Sequence, residues 1–153
     1  METLIGSKYT DRVAELILNA NNEIKIAMFV IEWYESNEKR STNKVIRAIR
    51  EAIRKGVKVS VILNNATNDK NNGMRNMESA QELAKRGQKV KFYKTGTTLH
   101  TKIIIIDNDY VIVGSHNLTN RALNSNQEIS VVIDDRYTVR TVKDYFNILF
   151  SNS

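Results

Sequence analysis

The 153-residue chain contains no cysteine, which excludes disulfides, thiol catalysis and cysteine-bound zinc. Histidine occurs only twice, at His100 and His116, so little remains for a metal site once one of them has another task. The adjacent carboxylates Asp134 and Asp135 stand before an amphipathic stretch and read as the N-terminal cap of a helix rather than as metal ligands. No metal and no cofactor is therefore expected. No apolar run approaches the length that crosses a membrane, and no amphipathic membrane-docking segment stands out. The opening Met-Glu-Thr-Leu-Ile-Gly-Ser-Lys carries an acid and lacks the basic start and long apolar region of a secretion signal, so a cytoplasmic location and no membrane partner are expected. Proline is absent and asparagine abundant; neither carries a functional reading.

What is present is positive charge. Lys and Arg exceed Asp and Glu by 23 − 17 = 6. Such an excess favours polyanions through counterion release, with no implication for sequence specificity. Much of it lies in Lys39, Arg40, Lys44, Arg47, Arg50, Arg54, Lys55 and Lys58. For any one of these a solvated helix face is the ordinary reading; their sum points to a polyanionic partner.

Apolar periodicity gives alternating elements. Val13, Leu16, Ile17 and Ala20 form a helical stripe, followed by an extended run from Ile24 to Ile31. Val45, Ile46, Ile49, Ala52 and Ile53 form a second stripe, ended by Gly56, before a strand from Val57 to Leu63. Met77, Ala80 and Leu83 or Ala84 predict a third helix, closed by Gly87 ahead of a strand from Val90 to Tyr93. A hairpin, a strand from Ile129 to Ile133 and a last helix carrying Val139, Val142, Phe146, Leu149 and Phe150 complete the chain. The expectation is a single α/β domain over residues 1–153, with a mixed, largely parallel sheet flanked by helices on both faces. The polar stretches Glu32–Thr42 and Asn64–Gly73 leave the parallel strands, where open α/β sheets bind ligands. Trp33 and Tyr34 are candidates to stack on bases there, and Lys39, Arg40, Lys70 and Arg75 to meet phosphates; for Trp33 a half-buried anchor is the equal alternative.

The hairpin carries the chemistry. Lys102–Ile106 and Tyr110–Val113 are β-branched runs separated by Asp107, Asn108 and Asp109. With Asn108 and Asp109 as a two-residue loop, Lys102 faces Ser115 and His100 faces Asn117. An imidazole, an ammonium, a hydroxyl and an amide then share one patch. Such a patch suits a phosphodiester: the imidazole attacks phosphorus, and lysine and asparagine donate to the non-bridging oxygens as charge builds. A three-residue loop would slip the register by one and bring His116 to this face.

From His100 to Asn117 the chain reads H-x-K-x4-D-x6-G-S-x-N, with fixed positions at His100, Lys102, Asp107, Gly114, Ser115 and Asn117. This resembles the signature of the phospholipase D superfamily, which cleaves phosphodiester bonds through a histidine nucleophile. The pattern favours the two-residue loop, because His116 fills its free position and is then not the nucleophile. Asp107, at the turn, reads as structural, in ion pairing or turn formation. Thr119, Ala122, Asn126 and Glu128 follow at the spacings of family nucleases. That resemblance implies that Glu128 accepts a hydrogen bond from the non-attacking nitrogen of His100 and fixes its tautomer. Arg47–Leu63 and the final Tyr-Phe-x-x-Leu-Phe also look like the small single-motif nucleases.

Members of the superfamily build each active site from two motif copies, and this chain has one. The resemblance therefore implies a homodimer with a single site on its two-fold axis, one His100 attacking and the other serving as general acid and then base. The expected function is metal-independent endonucleolytic hydrolysis of DNA, with RNA left open as a further substrate. The alternatives are a phospholipase D or phosphatidyl transferase acting on lipid phosphodiesters, and a non-catalytic nucleic-acid-binding module.

Overall fold

In a computed structural model that describes residues 1–33 and 41–153, the hairpin lies at the centre of a seven-stranded sheet. Tyr34, Lys39 and Arg40 lie outside the described residues. The elements run β1 (Glu2–Ile5), α1 (Ser7–Leu18), β2 (Glu23–Met28), α2 (Ser41–Arg54), β3 (Lys58–Asn64) and α3 (Lys70–Lys85). They continue with β4 (Lys89–Tyr93), β5 (Lys102–Ile106), β6 (Tyr110–Gly114), α4 (Asn120–Asn124), β7 (Ile129–Ile133) and α5 (Arg136–Ser151). Strand order is β1-β7-β6-β5-β2-β3-β4.

The expected α/β fold with a mixed sheet is what forms, but its parallel part is smaller than the alternation suggests. Among the described strands only β2–β3 and β3–β4 pair in parallel, while β5, β6, β7 and β1 add antiparallel pairings. Strand β5 is buried along its whole length, as a central strand covered on both faces must be. Its side chains alternate between two cores. Ile104 and Ile106 join α1, α2 and the inner face of α3, whereas Ile103 and Ile105 pack with Val139 and Phe146 of α5.

Three local outcomes differ from the sequence reading. Strand β2 stops at Met28 because side chains of α3 take over the backbone that follows. Asn76 donates to the Phe29 carbonyl (2.9 Å) and accepts from the Ile31 amide (3.0 Å), and Ser79 donates to the Ile31 carbonyl (2.8 Å). The buried face of α3 is accordingly Asn76, Ser79, Ala80 and Leu83, with Met77 half exposed at 50%. Strand β1, which periodicity did not reveal, contributes one buried residue, Leu4, at the sheet edge.

The third difference is the hairpin register. Ile106 pairs with Tyr110, so the loop is the three residues Asp107, Asn108 and Asp109, not the expected two. Asp107 adopts a positive φ of 53°, and its carboxylate accepts from the amides of Asn21 (2.9 Å), Asn22 (2.8 Å) and Glu23 (2.9 Å). Those three charge-assisted bonds offset the cost of the left-handed backbone and draw Asp107 into the turn. Ile103 faces Val113, so Lys102 falls level with Gly114 instead of Ser115, and the expected pairings Lys102–Ser115 and His100–Asn117 do not form.

Candidate active site

The motif residues converge without that pairing, because they meet at and just beyond the start of β5 and the end of β6. His100, Lys102, Gly114, Ser115, Asn117 and Glu128 line one open cavity of about 410 Å³. Each is held by a different local device.

His100 is exposed just ahead of β5, its ring edge-on to Phe29 at 5.1 Å. The preceding residue, Leu99, is buried and donates its amide to Asn64 Oδ1 (2.9 Å), tying this segment to the end of β3. Lys102 is 8% exposed; its Nζ lies 5.3 Å from the Phe29 ring centre and donates to the His100 carbonyl (2.5 Å). Burial pushes the Lys102 ammonium below the usual lysine range, and the Glu128 carboxylate partly offsets this.

Gly114 is required by close packing of β6 on β7. A Cβ there would lie 2.3 Å from Ser130 Oγ and 2.4 Å from the Ile129 carbonyl. Ser115 continues that contact, its amide donating to the Ile129 carbonyl (2.9 Å) and its hydroxyl accepting from the Ile129 amide (3.1 Å). Asn117 is half-buried, and its Oδ1 is buried with no partner. An orphan acceptor of that kind is costly in a resting fold. Glu128 shares the cavity but accepts from Asn126 (3.0 Å); the expected bond from the His100 ring is not formed in the single chain.

His116, between the two motif residues, turns away into the core. It is 1% exposed, stacked on Tyr9 with centroids 4.0 Å apart, and its Nδ1 bonds to Ser130 Oγ (2.8 Å). Burial holds this imidazole below the usual histidine range against the pull of Glu128, so the ring is neutral at neutral pH.

Of the expected groove residues that are described, Trp33, Lys70 and Arg75 do not line this cavity. Trp33 is 7% exposed within the main core, with the Arg86 guanidinium 5.3 Å from its ring centre, which is the anchor alternative and leaves no open face for a base. Arg75 pairs with the buried Glu32 (3.2 Å) and also reaches Asn72. Lys70 is exposed at the start of α3. Asp107 is at the far end of β5, bonded to the amides of Asn21, Asn22 and Glu23. Asp135 caps α5 by accepting from the amide (2.8 Å) and hydroxyl of Thr138. Among the described residues no group of three or more His, Cys, Asp or Glu is arranged to hold a metal ion. Sequence reasoning gave no part to Phe29, Asn64, Tyr9 or Ser130; only Asn64, at a strand's carboxyl end, carried a signal.

Residues 13–150 match the family model described as cardiolipin synthase, PLD-like domain. Cardiolipin synthase A of Cronobacter sakazakii is 35% identical over 94 residues, covering 61% of this chain and 19% of that protein. The chain thus spans about a fifth of that relative. The phospholipase D family member Nuc from Salmonella typhimurium superposes with a TM-score of 0.81 at 19% identity, over 98% of this chain and 94% of that one. NucT from Helicobacter pylori gives 0.77 at 21% identity, over the same shares. At these identities the two structures speak for a shared fold. With the family match running over nearly the whole chain, the protein belongs to the phospholipase D-like family, whose members act on phosphodiester bonds.

Proposed function

We propose that the chain is a metal-independent endonuclease that hydrolyses DNA, and RNA as a second substrate, at a site completed by a second copy of itself. The observation that carries this reading is the cavity that unites His100, Lys102, Ser115, Asn117 and Glu128 while containing one imidazole. Phosphoryl transfer needs a nucleophile on one side of phosphorus and an acid on the other. One His100 attacks phosphorus and forms a P–N bond as the P–O bond to the leaving group breaks. His100 of the second copy gives its proton to the departing oxygen. That histidine then takes a proton from water, the water oxygen bonds to phosphorus, and the P–N bond breaks to release the first imidazole. Lys102 and the Asn117 amide donate to the non-bridging oxygens throughout. Glu128 stabilises the imidazolium in the assembled site.

The net charge of +6 supports a nucleic-acid substrate. The second reading is a lipid phosphodiester, favoured by the 35% identity to cardiolipin synthase A. A non-catalytic binding module is disfavoured because every motif residue is intact. The test is nicking of plasmid and cleavage of single-stranded DNA in EDTA, with light scattering on the same sample. Cleavage by a dimer is expected. Phospholipid turnover without DNA cleavage would give the site to lipids, and an active monomer would end the two-copy mechanism.

A further inference from the structure

His100 borders a second cavity that shares no other motif residue with the first. This one, about 280 Å³, is lined by Phe29 beyond β2 and by the β3–α3 loop, including Asn64, Asn65, Thr67, Asn68 and Asp69. Its walls are fixed from behind by a single buried amide. Asn76 Nδ2 donates to the carbonyls of both Phe29 (2.9 Å) and Asn64 (3.1 Å). Asn64 is oriented as well: its Oδ1 is occupied by the Leu99 amide, which leaves its NH2 group as the donor. Asp69 is committed to capping α3 through the amide and side chain of Asn72 (3.1 and 2.7 Å).

We infer that this pocket receives the nucleobase next to the scissile phosphate, an inference that rests on the nuclease reading above. Whatever enters must be joined to the phosphate that His100 attacks. A second phosphate would call for cations, and among the described residues no lysine or arginine lines the pocket. An acyl chain would call for apolar walls, and among the described residues only Phe29 and Ala66 supply any. A planar, neutral group with several donors and acceptors fits the amides and hydroxyls, with Phe29 as the aromatic wall. Because the walls are held in place without a ligand, little ordering is required on binding.

The test compares turnover by the full chain of thymidine 5′- and 3′-(p-nitrophenyl phosphate) with that of methyl p-nitrophenyl phosphate. At least one nucleoside ester should exceed the methyl ester in kcat/KM by about tenfold or more. Asn65→Leu and Asn68→Leu alter exposed loop residues with no part in the core, and should bring that ratio toward one. Equal turnover of all three esters by the wild type, or variants that leave the ratio unchanged, would overturn the pocket. If single-stranded DNA is still cut in EDTA, the nuclease reading survives that result. If DNA and nucleoside esters are both untouched while phosphatidylglycerol vesicles are consumed, the nuclease reading has failed and the pocket falls with it.

Discussion

The two histidines stand near the same end of one hairpin and meet opposite surroundings. His100 is exposed, meets the Phe29 ring edge-on and borders two cavities. His116 is enclosed, stacked flat on Tyr9 and bonded to Ser130. A nucleophile must reach its target and change charge during turnover, which solvent access permits. A buried neutral ring does neither, but it can hold a loop. His116 turns inward between Ser115 and Asn117, so those neighbours open onto the cavity. The same side chain thus meets solvent at one position and the core at the other, and the environment decides which part it can play.

The comparison can be broken at either end. The largest expected effect is on His100. His100→Ala should lower the rate of phosphodiester cleavage by about 10⁴-fold or more, as removal of a nucleophile does. Its urea midpoint should shift by less than the equivalent of about 1 kcal/mol, since an exposed ring is lost. A large stability loss with residual activity would reverse the roles assigned here. Next comes His116→Ala, which removes a buried ring and should cost about 3 kcal/mol in urea unfolding. Activity per folded molecule should fall far less than for His100→Ala. The smallest effect is on pH dependence. The folded-state pKa of His116 lies below its ordinary value of 6.5, so the unfolded chain binds a proton that the folded one does not. The stabilisation is complete above 6.5 and is lost as pH falls through the folded value. Urea midpoints taken near pH 7.5 and near pH 5.5 should therefore fall more for wild type than for His116→Gln. Parallel decline would remove His116 as the titrating group.

The cavity residues were legible because their spacing is carried by one short segment. His100, Lys102, Gly114, Ser115 and Asn117 are all fixed by a single hairpin and its ends, so local pattern sufficed. The register was not legible. It depends on amides of Asn21, Asn22 and Glu23, which no inspection of the turn itself brings into view. The buried side of α3 was misjudged for a similar reason. Asn76 and Ser79 are inside because they bond to the backbone at residues 29 and 31, and hydrophobic periodicity has no term for that. Trp33 shows the reverse limit: an aromatic residue at the mouth of a polar loop looks available until the core closes over it.

The clasp of Asp107 on the α1–β2 connection has a consequence at the opposite end of β5. It acts as a datum from which the strand is measured. Ile106 lies against Ile24 and Lys102 against Met28, so fixing the turn fixes how far the chain has travelled when it reaches His100. A slip of one residue would carry the imidazole about 3.3 Å along the sheet and turn each side chain to the other face. Asp107, at the far end of the strand, is in this sense the ruler that sets where His100 stands.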